Sequence, residues 1–192
     1  MPRPSTVLVA VIATVLATAA TSAIQPAVAS AAQAAPTQAA VPLRDVVAAL
    51  PVATELRDGY ERTKFKHWVD ADRDGCNTRA EVLLAEAATA PTMGEKCAIT
   101  GGSWYSAYDD TYITNPRTSD IDHMVPLAEA WDSGAYAWTP EQRQAYANDL
   151  DEPRALIAVT ATTNRSKADQ DPHQWLPPYE PARCEYITSW TI

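Results

Sequence analysis

Apolar and polar positions divide the chain into an uncharged head and a body of short elements with changing period. After the basic residue Arg3, residues 5–24 carry no charge and are rich in Val, Ala and Leu. Small residues recur at Ala27-Val28-Ala29 and Ala29-Ser30-Ala31. This is the pattern of an export signal with A-x-A-like cleavage sites; its mild hydrophobicity and the lack of a following basic cluster argue against a membrane anchor. Residues 1–31 are therefore read as a signal peptide and residues 32–41, rich in Ala, Pro and Gln, as a flexible leader. The body, 42–192, is expected to form one domain, and because it stops inside a helix-like stretch its C-terminus is read as truncated.

Within the body, Leu43, Val46, Val47 and Leu50 keep helical spacing up to Pro51, so two short helices are expected between Pro42 and Phe65. Thr78–Ala88 reads as a helix capped by Thr78, with Glu81 completing a capping box. Ile99–Thr114, rich in Tyr and Trp with Gly101-Gly102 and Asp109-Asp110 as turn signals, reads as irregular β-structure. Ser119–Met124 reads as a short strand. Pro126 and Pro140 each open a helix, to about Trp131 and Asn148. Ala155–Thr160 is a strand with a polar continuation through Thr162-Thr163-Asn164, and Pro172 starts a helical turn that Pro177-Pro178 stops. Helices and strands mix without regular βαβ alternation, so the fold class is α+β, mostly helical with short antiparallel strands.

Composition narrows the function. Of 192 residues 46% are apolar and 20% charged, enough for a packed core. The net charge is −9, and loss of the signal removes only Arg3, leaving −10. A protein that coats nucleic acid needs a basic field, so that class is excluded. A phosphodiesterase that recruits a cation is not, because the ion supplies local positive charge. Three cysteines in an exported chain leave one unpaired. Cys76–Cys97 is the expected disulfide, closing a loop of about 21 residues worth on the order of 3 kcal/mol; Cys184 is then free, or paired beyond Ile192.

Two strings carry the chemistry. In Asp120-Ile121-Asp122-His123-Met124-Val125-Pro126 a carboxylate that can hold a hard cation directly precedes an imidazole that can take a proton from water. In Thr160-Ala161-Thr162-Thr163-Asn164-Arg165-Ser166-Lys167 Asn164 offers a carbonyl oxygen as second ligand, and Arg165 and Lys167 offer donors for phosphate oxygens. Asn164-Arg165-Ser166 also matches a glycosylation sequon. A third string, Asp70-Ala71-Asp72-Arg73-Asp74-Gly75-Cys76 with Glu81, satisfies a calcium-loop pattern in which alternate carboxylates and a last carboxylate on the next helix enclose Ca²⁺. Its structural role would be to stiffen the segment leading to Arg79, read as facing the active site.

The first two strings, extended as D-I-D-H-M-V-P-L-A-E-A-W and N-R-S-K-A-D-Q-D-P-x-x-W-L-P-P, resemble the His-Asn-His (HNH) nucleases of the ββα-metal superfamily. They are most similar to that group's secreted bacterial endonucleases and, in Asp-His followed by Asn-Arg-x-Lys, to the HNH domain of RNA-guided CRISPR nucleases. The resemblance runs from about Leu56 to the end. It implies a β-hairpin and helix gripping one Mg²⁺ (or Mn²⁺), with Asp122 and Asn164 as ligands and His123 as general base. Lys167 and Arg165 would contact phosphate, and Asp120 would brace the hairpin or the water shell of the metal. The family's middle Asn, which braces the loop rather than binding metal, is replaced here by Ala155. His173, nine residues past Asn164, is expected in solvent, and His67 is expected to be structural or exposed. The function expected is thus a secreted, monomeric, metal-dependent endonuclease that cuts DNA, or RNA, with little sequence preference and without a membrane partner. The alternative is an exported calcium-binding module of the cell surface without catalysis.

Overall fold

The computed structural model of the protein describes residues 41–191. The signal peptide and nearly all of the leader fall outside them. The described part begins with helix α1, Leu43–Ala49, ended as expected before Pro51. The second helix expected upstream of Phe65 does not form. Residues 51–61 run without regular structure, and only a 3₁₀ turn, Arg62–Lys64, follows. Tertiary contacts hold this segment instead: Leu56 N–H donates to the Asp132 carbonyl (3.1 Å), and the Arg57 guanidinium clasps the Asp132 carboxylate at 2.6–2.8 Å.

Helix α2 spans Thr78–Ala85. Its cap is Asn77, whose side chain accepts from Ala80 N, rather than Thr78. The Thr78 hydroxyl reaches Val69 O and Asn148 Oδ1, and Glu81 makes no capping box. Two small sheets follow. Strands β1 (Ala87–Thr89), β4 (Ser103–Ser106) and β5 (Thr111–Ile113) form an antiparallel sheet in the order β1-β4-β5, and β2 (Thr92–Met93) pairs with β3 (Ile99–Thr100). The disulfide forms between Cys76 and Cys97, whose Cα atoms lie 5.0 Å apart, and ties the acidic loop before α2 to the end of the β2–β3 connection. Cys184 is free and exposed.

Strand β6 (Ser119–His123) leads into α3 (Leu127–Asp132), then α4 (Pro140–Ala147), before the chain returns as β7 (Leu156–Thr160). Thr139 and Gln142 close a reciprocal capping box on α4. β6 and β7 pair antiparallel with Asp122 opposite Ile157 and His123 opposite Leu156. Thr160 is then the N-cap of helix α5 (Ala161–Lys167), so the expected polar extension of the strand is helix. The last helix, α6, covers Arg183–Thr191. None of the helices among the described residues is long and apolar enough to cross a membrane.

Side chains alternate across a strand, and this sets the layers. Ile121, Leu156 and Ala158 face a cluster with Val82, Leu83, Trp104 and Ile113, where the Trp104 indole donates to Leu83 O at 2.6 Å. Val159, on the opposite face, packs with Tyr108, Met124 and Tyr186. A third cluster, around Phe65, Leu127 and Trp131, lies under α3 and α4. One side chain joins three segments. Asn148 accepts at Oδ1 from Val69 N and Thr78 Oγ1, and donates from Nδ2 to Lys66 O and Gln144 O.

Candidate active site

Period-two alternation places Asp120 and Asp122 on one face of β6 and Ile121 and His123 on the other. Because β6 ends at His123, both Asp122 and His123 reach the same cleft, which Asn164, Arg165, Arg62 and Asp169 also line. Asn164 arrives there from the middle of α5, whose N-terminus is fixed by Thr160 and by the contact of α5 with β6.

The geometry specifies what each group presents. The His123 ring is buried and tilted against Trp68, with centroids 5.6 Å apart. Its Nε2 lies 3.0 Å from the Ala147 carbonyl. A carbonyl oxygen only accepts, so Nε2 carries the hydrogen and Nδ1 holds the lone pair in the neutral ring. Nδ1 has no hydrogen-bond partner among the described residues. Burial lowers the imidazole to about 4, with smaller contributions of the same sign from Arg62, His67 and Lys167; the bond to Ala147 O works the other way. The ring is therefore neutral at neutral pH, with its lone pair on Nδ1.

Asp122 is buried, and its Oδ2 accepts from Tyr108 Oη and Lys167 Nζ, both at 2.6 Å. Burial pushes this carboxyl up, opposed by the Lys167 charge and by both hydrogen bonds. With Oδ2 doubly engaged, Oδ1 is the oxygen left for another partner. Asn164 Nδ2 donates to Asp120 Oδ2 at 3.2 Å, which leaves its carbonyl oxygen open as well. A carboxylate and a carboxamide oxygen on one cleft are donors that hard divalent cations prefer.

Lys167 departs from its expected place. It is 0% exposed, and its ammonium bonds Asp122, the His123 carbonyl (2.7 Å) and the Met124 carbonyl (3.0 Å). All three of its protons are engaged, so it braces the end of β6 and cannot hold a substrate phosphate. Arg79 also departs: its guanidinium donates to Pro116 O and Ser119 O at 2.9 and 2.7 Å, fixing the entry into β6 rather than facing the cleft. Arg165 is exposed on the cleft rim, 3.6 Å from Asp120. His173 is exposed, and His67 bonds Phe65 O and packs edge-on against Trp68.

Three contributors escaped the sequence reading. Tyr108 lies fourteen residues before Asp122 in a Tyr-rich stretch where nothing marks it out. Arg62 stands in the exposed segment before Phe65. Asp169 is held by Arg57 at 3.1 Å. For Lys167 a signal existed: it follows Thr163 by four positions, the spacing of one helix face, and both are buried.

In the loop before α2, carboxylate oxygens of Asp70, Asp72 and Asp74 lie within 4.8 Å of one another. Their side chains also accept from Gly75 N (3.1 Å), Asp74 N (3.3 Å) and Cys76 N (2.7 Å). Glu81 is raised by burial and then by the charges of these three aspartates.

Comparison with known proteins places the chain. Residues 61–192 match the family described as GmrSD restriction endonucleases, C-terminal domain, and the chain belongs to that family. It is also 47% identical over 134 residues to an uncharacterized secreted protein of the fungus Arthroderma benhamiae, an alignment covering 70% of this chain and 64% of the relative. This relative is fungal, whereas the expected likeness is to bacterial proteins. No solved structure matches.

Proposed function

We propose that the protein is an exported, metal-dependent endonuclease of the His-Asn-His type that hydrolyses DNA with little sequence preference. The observation that carries this reading is the convergence of Asp122, His123 and Asn164 on one cleft from strings forty-odd residues apart. The antiparallel β6–β7 pair followed directly by α5 supports a ββα-metal unit, and the restriction-endonuclease family supports a nucleic-acid substrate. Export is supported by the uncharged head, by the disulfide and by the secreted relative.

Asp122 Oδ1 and the Asn164 carbonyl oxygen would hold the cation. When bound, a divalent ion such as Mg²⁺ or Mn²⁺ supplies positive charge against the phosphate and the leaving oxygen. His123, oriented by the Ala147 carbonyl, accepts a proton from water at Nδ1. Tyr108 and Lys167 hold Oδ2 of Asp122, aim the carboxylate and favour its charged form against burial, Asp120 orients the Asn164 amide, and Arg165 with Arg62 offers guanidinium donors at the cleft for phosphate oxygens.

The test is digestion of plasmid DNA in Mg²⁺, with and without chelator. His123→Ala should lower cleavage by about 10²–10⁴-fold, the usual weight of a positioned general base, with circular dichroism unchanged. Asn164→Ala should weaken cation affinity, so that high Mg²⁺ partly restores cleavage. Full activity in a folded His123→Ala protein overturns the assignment. The acidic loop favours a second feature, a structural Ca²⁺ held by Asp70, Asp72, Asp74, the Cys76 carbonyl and Glu81. A protein that is stabilised by Ca²⁺ but leaves DNA intact with any divalent ion would instead be a calcium-binding module.

A further inference from the structure

A second group of carboxylates lies outside both the cleft lining and the acidic loop. Oxygens of Glu55, Glu129 and Asp171 fall within 4.8 Å of one another. They come from three parts of the chain: the irregular N-terminal segment, the middle of α3, and the turn after α5. Glu55 is exposed and Asp171 half-buried. Glu129 differs from both, being 7% exposed.

The Glu129 carboxylate has neither a hydrogen-bond donor nor a salt-bridge partner among the described residues. Arg57, the nearby cation, spends its guanidinium on Asp132 and Asp169. Burial raises the Glu129 carboxyl to about 7, the charges of Glu55, Asp171 and Asp132 push in the same direction, and the Arg57 charge opposes them without a direct bond. A buried acid among like charges is costly when ionised and unpaired, and is stabilised either by a proton or by a cation. The surroundings favour the cation, because two further carboxylates converge on it. Asp171 is also pre-set: its Oδ1 accepts from His173 N (2.8 Å) and Gln174 N (3.0 Å), which leaves Oδ2 for another partner.

We propose that Glu55, Glu129 and Asp171 form a further divalent-cation site that fastens the segment around Glu55 to α3 and to the turn after α5. Three carboxylate ligands, with water completing the shell, suit Ca²⁺, Mn²⁺ or Mg²⁺. Because one ligand is exposed on an irregular segment, the affinity belongs in the weak range of extracellular sites, with Kd on the order of 10⁻⁴–10⁻³ M. The proposal does not depend on nuclease activity.

The test uses the whole chain and Mn²⁺. Crystals soaked in MnCl₂ should show an anomalous peak among the three carboxylates, and solution titration followed by electron paramagnetic resonance should count one Mn²⁺ fewer in Glu129→Gln than in the unaltered protein. Glu55→Gln, which alters an exposed side chain and leaves the core intact, should raise the Kd of that same Mn²⁺ severalfold. No peak at these oxygens, with equal Mn²⁺ counts in all three proteins, would overturn the site and leave Glu129 as a carboxyl kept protonated by its surroundings.

Discussion

The Asp122–Lys167 pair shows how far a single side chain can depart from the role its neighbours imply. Lys167 follows two polar residues, Arg165 and Ser166, so its string reads as solvent-facing, yet it is walled in and completes the bonding of Asp122. Removing one partner of a buried pair leaves the other charge uncompensated. Lys167→Met should therefore cost about 3–5 kcal/mol in denaturant unfolding; a loss under about 1 kcal/mol would contradict the burial. Tyr108→Phe removes only a donor to the same oxygen and should cost roughly 1.5–3 kcal/mol, with weaker divalent-ion binding as a second readout. Glu86 offers a pH test away from the cleft. It accepts from Ala158 N at 2.7 Å, and burial lifts its carboxyl to about 7. The fold thus favours the neutral acid: the benefit is complete below the ordinary carboxylate range and is lost as pH rises through 7. Glu86→Gln should match the unaltered protein near pH 4 and exceed its stability at pH 8 by roughly 2 kcal/mol, the partial exposure of the carboxyl weakening the effect.

Among the elements, β6, α3, α4 and β7 match what the sequence predicts, because each carries its own punctuation. Pro126 and Pro140 open helices, and Ala-Leu-Ile-Ala-Val-Thr has the length and branching of a buried strand. Elements whose fate depends on distant partners do not. The segment after Pro51 has helical spacing but is drawn out by Arg57 and Leu56 binding Asp132. The N-terminus of α2 illustrates a one-residue ambiguity: Asn77 and Thr78 are both good caps, and Thr78 is taken by Val69 and Asn148. Asn77→Ala should accordingly destabilise by about 1 kcal/mol through lost capping, measured by thermal or chemical unfolding. The same logic separates the site residues. Asp122, His123 and Asn164 of the proposed site stand out in the sequence because adjacent residues carry complementary chemistry, whereas Tyr108 and Arg62 join the cleft only through tertiary folding.

For the molecule as a whole, a net charge of −9 means that the proposed DNA substrate, a polyanion, would be repelled at long range. Association should be slow at low ionic strength and should improve more with divalent than with monovalent salt, a comparison that initial digestion rates can make. Besides the apolar clusters, several side chains bridge distant segments, and Asn148 makes four hydrogen bonds. Its amide protons face two backbone carbonyls, so conversion to aspartate by slow hydrolysis would set a negative oxygen against both. Ageing of the purified protein by deamidation should therefore loosen the joint between the 66–69 segment and α4 before it reaches the cleft, visible as a falling melting temperature in step with the modified fraction found by mass spectrometry.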